Sequence, residues 1–336
     1  MYQPPGGADL QVGPPPLQYH SHHMPCRPLD GTAAAAAIRA ELAPQVAAFA
    51  SRTGRPPSLA IVLVGDDPAS AVYVRGKERT GGETGLRVTV TRLPADTPLE
   101  DVLRLVRAFN ADDECDGILV QSPLPPAMGA DAEVHVVEAI DPAKDVDGLH
   151  PCNVGLLVAG RPRLAPCTPS GVMALLDREQ VPIAGRHAVV IGRSGIVGKP
   201  MSLLLLQRDA TVSICHSKTA DLPAITSQAD ILVSAVGRPG FVQPTMVKPG
   251  AAVVDVGTTP ISDRELAVRL FGENSPRLAA LAARGSIVVG DVHPSVADVA
   301  GALSPVPGGV GPLTIAMLLK NTLTAAEKRR RAAVVP

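Results

Sequence analysis

Apolar positions along the chain keep two rhythms. Residues 59–64 and 117–121 are short, almost unbroken runs of Val, Ile and Leu, the pattern of strands buried on both faces. Residues 88–92 give a further strand. Between such runs the apolar residues space out at three and four. Leu99, Val102, Leu103, Val106 and Phe109 form the clearest helical stripe. Local punctuation predicts where the helices start. Asp67-Pro68 supplies a cap and a first-turn proline for a helix over 69–84. Thr97-Pro98-Leu99-Glu100 has the form of a capping box. The Ala-rich stretch 32–50 predicts a helix that Pro44 should break or kink. Gly81 and Gly82, each costing about 1 kcal/mol relative to Ala, predict a frayed last turn on the helix over 69–84.

A helix over 132–140 ends at Asp141-Pro142, and 141–169 reads as a loop-rich junction. The alternation then resumes, with strands near 187–192, 210–215, 230–236, 251–256 and 286–289. Pro312 opens a closing helix that runs to about residue 330. Strand and helix thus alternate twice, which predicts an α/β fold of two parallel-sheet domains. The 336 residues suit two domains of ordinary size.

Composition narrows the picture. The chain is 46% hydrophobic but only 2% aromatic, so aliphatic side chains must fill both cores. A net charge of -1 gives no electrostatic reason to expect nucleic acid or a membrane surface as partner. The run Lys328-Arg329-Arg330-Arg331 reads as a helix C-terminus complementing its own dipole. Cys26, Cys115, Cys152, Cys167 and Cys215 are scattered without any C-x-x-C, so neither a disulfide framework nor a metal site is expected, and a reducing, cytoplasmic compartment fits. Residues 1–25, rich in Pro, Gly, Gln and His, are expected to be a disordered tail rather than a secretory signal. His20, His22 and His23 are read as solvated tail residues rather than a metal grip.

Candidate chemistry begins at residues 189–200. An apolar run stops at Gly192, and Arg193, Ser194, Gly195 and Gly198 form a small-residue turn into a helix. Such a turn lets backbone approach a pyrophosphate and offers it helix N–H groups. Ser194 stands where the usual fingerprint has its second glycine, and Gly198 falls one place late. The next strand runs out into Cys215-His216-Ser217-Lys218-Thr219, with no acid to take ribose hydroxyls. Ser217, Lys218 and Arg193 suit a 2′-phosphate instead, which favours NADP over NAD; solvent-facing loop residues would look the same.

Tyr73 and Lys77 share a helix face. A ring and an ammonium can there serve one pocket, although a surface helix with a solvated lysine fits the same spacing. Gln121 ends a strand, where a ligand crevice opens in parallel sheets, or where an amide simply caps. Asp147, before Gly148, can hold a heterocycle edge through charge-assisted hydrogen bonds, or stabilise a turn.

Taken in order, VGDDPASAVYVRGK (64–77), DGILVQSPLP (116–125), KDVDGLHPCNVG (144–155), PCTPSGV (166–172), VVIGRSGIVGKPMSLLL (189–205), CHSKT (215–219), VGRPGF (236–241), DVG (255–257), GDV (290–292) and PVPGGVGPLTIAMLL (305–319) resemble the bifunctional methylenetetrahydrofolate dehydrogenase/cyclohydrolase family. The resemblance implies two α/β domains flanking a cleft: a folate-binding catalytic domain over 26–160 and a Rossmann-type NADP-binding domain over 161–305. Residues 306–330 would be a loop and helix returning to the first domain. It implies Lys77 as the catalytic lysine with Gln121 beside it, Tyr73 stacking on the folate and Asp147 holding the pterin. Pro307, Gly308 and Gly309 would line the substrate. Gly192, Arg193, Ser194, Gly195, Gly198, His216, Ser217 and Thr258 would hold NADP. Members of this family are typically homodimers acting on tetrahydrofolate derivatives in one-carbon metabolism. Four features depart from the family pattern: Ser122 replaces Leu, Thr258-Thr259 replaces Ile-Asn, 260–285 is longer, and Gly81 and Gly82 weaken the helix that carries Lys77. An NADP-dependent dehydrogenase alone, or a non-catalytic folate or NADP binder, is the alternative.

Overall fold

The computed structural model describes residues 26–332; the histidine-bearing stretch and the expected disordered tail lie outside the described residues. The chain opens with a two-residue strand β1 (Arg27–Pro28), then α1 (Gly31–Thr53), β2 (Ser58–Val64), α2 (Pro68–Thr84), β3 (Arg87–Leu93), α3 (Leu99–Ala111), β4 (Gly117–Val120) and α4 (Ala132–Ala139). Strands β3, β2 and β4 form a parallel sheet in that order. All seven residues of β2 are buried, as a central parallel strand requires. Leu59, Ile61 and Leu63 face the main core with Ile38 and Val74, while Val62 and Val64 pack on Val102 and Val136 from α3 and α4.

Several helix boundaries have clear causes. Asp30 and Asp67 cap α1 and α2, accepting from Ala33 N at 2.9 Å and Ser70 N at 2.7 Å. The expected capping box does not form: Thr97 Oγ1 donates to the Pro94 carbonyl, Pro98 is the cap, and Glu100 pairs with Arg107. Nor does Pro44 break α1, which continues to Thr53. Tertiary packing of Leu42, Val46 and Phe49 outweighs the missing N–H. The expected weak end of α2 is intact too. A Cβ at Gly81 would lie 2.4 Å from Val88 Cγ2, so glycine there is what lets α2 rest on β3.

The junction, expected to be loop, contains α5 (Pro151–Val158) and leads into α6 (Cys167–Arg178). The His150 ring accepts from Cys152 N and caps α5, a role its position before Pro151 disguised. Then follow β5 (His187–Ile191), α7 (Gly198–Leu206), β6 (Thr211–Cys215), α8 (Leu222–Thr226), β7 (Ile231–Ser234) and β8 (Ala252–Asp255). The longer segment is a small module of its own: β9 (Thr259–Ile261), α9 (Arg264–Phe271), α10 (Pro276–Arg284) and β10 (Ile287–Val289), with β9 and β10 antiparallel over a core of Ala267, Leu270 and Leu281. β11 (Ala302–Leu303) and α11 (Val310–Ala332) close the chain. The second sheet is parallel, in the order β1-β11-β8-β7-β5-β6. β1 therefore belongs to this sheet although it precedes the first domain in the chain. α11 runs the opposite way, leaving the second domain to pack on α1, α2, α6, β2 and β4. Among the described residues no helix is long and apolar enough to cross a membrane.

Candidate active site

The carboxyl end of β4 and the middle of α2 meet at Lys77. Its side chain is buried, 8% exposed, and Nζ donates to Gln121 Oε1 at 2.8 Å. The Gln121 amide is fixed in turn, its Nε2 donating to the Ser122 carbonyl at 2.6 Å and its backbone N–H to the Val62 carbonyl. The lysine's strong partner is thus neutral. Burial lowers its pKa from the ordinary lysine value, against the pull of Asp147 and Cys167. Asp147 is shifted the other way: burial raises its pKa, opposed by Lys77, while Asp145 raises it further. Among the described residues Lys77 and Asp147 form no direct ion pair.

Asp147 is held by a loop tied through its neighbours' hydrogen bonds. Asp145 accepts from Gly148 N, His150 N and Asn153 Nδ2. Asn321 reaches in from α11 to donate to the Val146 and Ala165 carbonyls, both at 2.9 Å. Cys167 Sγ donates to the same Val146 carbonyl at 3.2 Å, and burial pushes its thiol well up. Asn321 and Cys167 were not among the expected site residues. One asparagine in a 23-residue helix and one isolated cysteine carry no local signal.

Tyr73, one turn before Lys77, is 39% exposed and lines a cavity of about 900 Å³. The same cavity is walled by Thr258, Pro307, Gly308 and Gly309, and by the previously unassigned Asp255. Both domains therefore contribute to it. The glycine-rich loop lies hard against the start of α1, since a Cβ on Gly31 would fall 1.7 Å from the Gly309 oxygen. Thr32 Oγ1 donates to the Gly308 carbonyl at 3.2 Å. Lys77 and Gln121 sit behind this wall. Asp147 instead lines a separate recess of about 30 Å³ with Ser122, so the expected substrate residues do not share one open space.

The other expected residues lie along the carboxyl edge of the second sheet. Gly192 takes φ +120°, and its N–H donates to the Cys215 carbonyl at 2.9 Å, setting the turn beside His216 and Ser217. A Cβ on Gly198 would lie 2.2 Å from the Gly192 oxygen, so the turn closes tightly on itself. Ser194, off-pattern for a glycine, ties the turn to the start of α7: its Oγ accepts from Val197 N at 3.1 Å and Gly198 N at 3.3 Å. His216 shapes the neighbouring loop, its ring accepting from Lys218 N and its backbone N–H donating to Thr219 Oγ1. Arg193, Gly195 and Ser217 are exposed, and among the described residues the Arg193 guanidinium has no acidic partner.

Two buried carboxylates lock the same edge. Asp255 accepts from Gly257 N, Asp291 N and Val292 N at 2.8–2.9 Å. Asp291 accepts from Val236 N, Arg238 N and Ser234 Oγ. Gly257 and Gly290 leave room for them, since a Cβ at either would lie within 2.4 Å of a carboxylate oxygen. Desolvation, with the Asp291 charge adding, pushes Asp255 from 3.8 up to about 7 despite its three N–H donors. The folded chain thus retains a proton that the unfolded chain releases between these values, and stability attributable to this group falls as pH rises through that window. The decline in unfolding free energy from pH 4 to pH 7, read by denaturant titration, is expected to be shallower in Asp255→Asn than in the wild type, by up to about 1.4 kcal/mol per pH unit. Parallel slopes in the two proteins would refute this.

Comparison with known proteins agrees with this layout. The family model for the tetrahydrofolate dehydrogenase/cyclohydrolase catalytic domain matches residues 29–147, and that for the NAD(P)-binding domain of the same enzymes matches 166–330. A bifunctional protein FolD from Solibacter usitatus is 51% identical over 304 residues, 90% of this chain and 98% of that one. The Trypanosoma brucei N5,N10-methylenetetrahydrofolate dehydrogenase-cyclohydrolase, solved with NADP cofactor and an inhibitor, superposes with a TM-score of 0.81 at 41% identity, covering 92% of this chain and 99% of that one. The FolD enzyme of Campylobacter jejuni superposes with a TM-score of 0.79 at the same identity, covering 90% and 98%. With both domains matched in order and half the residues identical, the chain belongs to the tetrahydrofolate dehydrogenase/cyclohydrolase family.

Proposed function

We propose that the protein oxidises 5,10-methylenetetrahydrofolate to the 5,10-methenyl form with NADP+ and hydrolyses that product to 10-formyltetrahydrofolate. The observation that carries this reading is the buried Lys77–Gln121 pair directly behind a cleft that both domains line. The residues present suit NADP. The Gly192–Gly198 closure makes a backbone cradle, and Arg193 and Ser217 stand exposed on adjacent loops with no acid to repel a 2′-phosphate. Gly195, Ser194 and His216 would complete that side, and Thr258 would meet the nicotinamide end from the cleft. When bound, NADP+ accepts the hydride from the folate methylene bridge.

The chain's own work is then orientation and proton movement. Tyr73 would stack on the folate ring system, and Asp147 would hydrogen-bond the pterin edge once the bound ligand joins its recess to the cleft, so that the bridge carbon points into the cleft. Pro307, Gly308 and Gly309 form the facing wall. The bridge nitrogens stabilise the cation left by hydride loss, so no protein base is needed there. In the second step water adds to the methenyl carbon and loses a proton. The hydroxyl so formed gives up its own proton as the bond from that carbon to N5 breaks, leaving the formyl group on N10, and N5 takes a proton, so that one proton is released overall. Lys77, with its lowered proton affinity, holds and returns that proton, and the Gln121 carbonyl fixes the amine in place.

We also infer a homodimer in the cytoplasm. Exposed Val158, Leu206 and Ile214 on α5, α7 and β6 support the first, and five free cysteines support the second. The test uses protein whose mass by light scattering is twice that of the chain. With 5,10-methylenetetrahydrofolate it is expected to produce reduced cofactor faster from NADP+ than from NAD+, and then to consume the methenyl product. Binding without turnover would leave a sensor, turnover without hydrolysis a dehydrogenase only, and a single-chain mass would remove the dimer.

A further inference from the structure

The large cavity extends well past Tyr73, along α2 as far as Glu83 and across to α1. Three arginines line this outer reach: Arg39 from α1, and Arg75 and Arg79 one turn apart on α2. The acids nearby are already engaged. Glu78 pairs with Arg92 at 3.5 Å, and Glu83 stands 3.9 Å from Arg79. Arg39 and Arg75 have neither hydrogen bond nor ion pair among the described residues, although Arg39 is partly buried against the cleft. A guanidinium losing solvent without gaining an acid is poorly placed for stability alone, and a fork of donors suits carboxylates.

We propose that Arg39 and Arg75, with Arg79 behind them, form a carboxylate-binding subsite that takes the glutamyl end of the folate substrate. The inference rests on the functional reading above. Once the pterin lies toward Asp147 and the central ring on Tyr73, the acidic end of the molecule leaves the cleft along α2. Its two carboxylates then meet the unpaired guanidinium groups. The arginines stand on α1 and α2, while Thr258 and the Gly192–Gly198 turn belong to the second domain, so the subsite serves substrate affinity and not the cofactor.

The test compares two substrates, 5,10-methylenetetrahydrofolate and the corresponding tetrahydropteroate derivative that lacks the glutamate. In the wild type the glutamyl form is expected to have a KM about tenfold lower, with kcat similar for both. The double variant Arg39→Gln/Arg75→Gln is expected to bring the two KM values within about twofold of each other, raising only that of the glutamyl form. Its kcat should stay near wild type, because neither arginine approaches the reacting carbon. Added salt should likewise raise the wild-type KM for the glutamyl form alone. A wild-type enzyme that turns over both substrates with equal KM overturns the subsite and leaves the catalytic reading standing. So does a double variant that keeps the full discrimination. A wild type that turns over neither substrate overturns both.

Discussion

Lys77→Ala is expected to lower the cyclohydrolase rate by about three orders of magnitude, the scale of a positioned acid–base group, while hydride transfer loses far less. The two reactions ask different things of this side chain. Hydrolysis needs a proton taken from water and another delivered to N5. Hydride loss needs neither, because the bridge nitrogens carry the positive charge. Burial has already moved Lys77 toward the neutral amine, and its contact at 2.8 Å is the uncharged Gln121 carbonyl rather than a carboxylate. The check is to assay hydrolysis of supplied methenyltetrahydrofolate without cofactor, beside the dehydrogenase assay on the same preparation. Lys77→Met, which keeps the bulk of the stem, separates proton chemistry from packing. Equal, small losses in both reactions would remove Lys77 from the proton-handling role.

Gly198→Ala should give the opposite separation. The new methyl group would lie 2.2 Å from the Gly192 oxygen and 2.7 Å from the Arg193 N–H nitrogen, both backbone atoms that no rotamer change can move aside. The turn must open, carrying Arg193 and Ser194 with it. NADP affinity by equilibrium titration is expected to fall about 100-fold, a loss of about 2.7 kcal/mol. Cofactor-free cyclohydrolase activity should remain within about twofold of wild type, since Lys77 stands on the other domain. Gly155→Ala is the control: it lies on α5, outside the turn, its Cβ would meet nothing within 4 Å, and binding should hardly change. Equal affinity in all three proteins would remove this turn from the cofactor site.

How much of this was legible in the chain depended on whether the signal was local. The strand runs were, because burial on both faces leaves no choice but Val, Ile and Leu. The Asp67 cap was, because a cap needs only its own three neighbours. Lys77 and Gln121 came together as the resemblance implied. Misreadings arose where distant residues outvoted local rules. Gly81 looked like a weakness until Val88 was seen against it. Pro44 looked like a break until Phe49 and Leu42 were seen buried around it. Asp255 and Asp291 were visible only as acids beside glycines. Nothing in the sequence says that Asp255 takes backbone N–H groups from the Asp291 loop, or that Asp291 takes those of the loop after β7. The arginines of the outer cleft were unremarkable as charged positions on helices until the structure showed which acids were taken.

The strand at residues 27–28 and the helix at 310–332 cross between the domains in opposite directions. A cut through the junction near residue 160 would therefore release two fragments that each carry part of the other. The first would hold the edge strand of its partner's sheet, and the second the long helix that covers its partner's core. What divides the molecule is a boundary in space and not a point in the chain. The cleft is formed between halves that are laced together at both ends of the described residues, and its two walls are inherited as one piece.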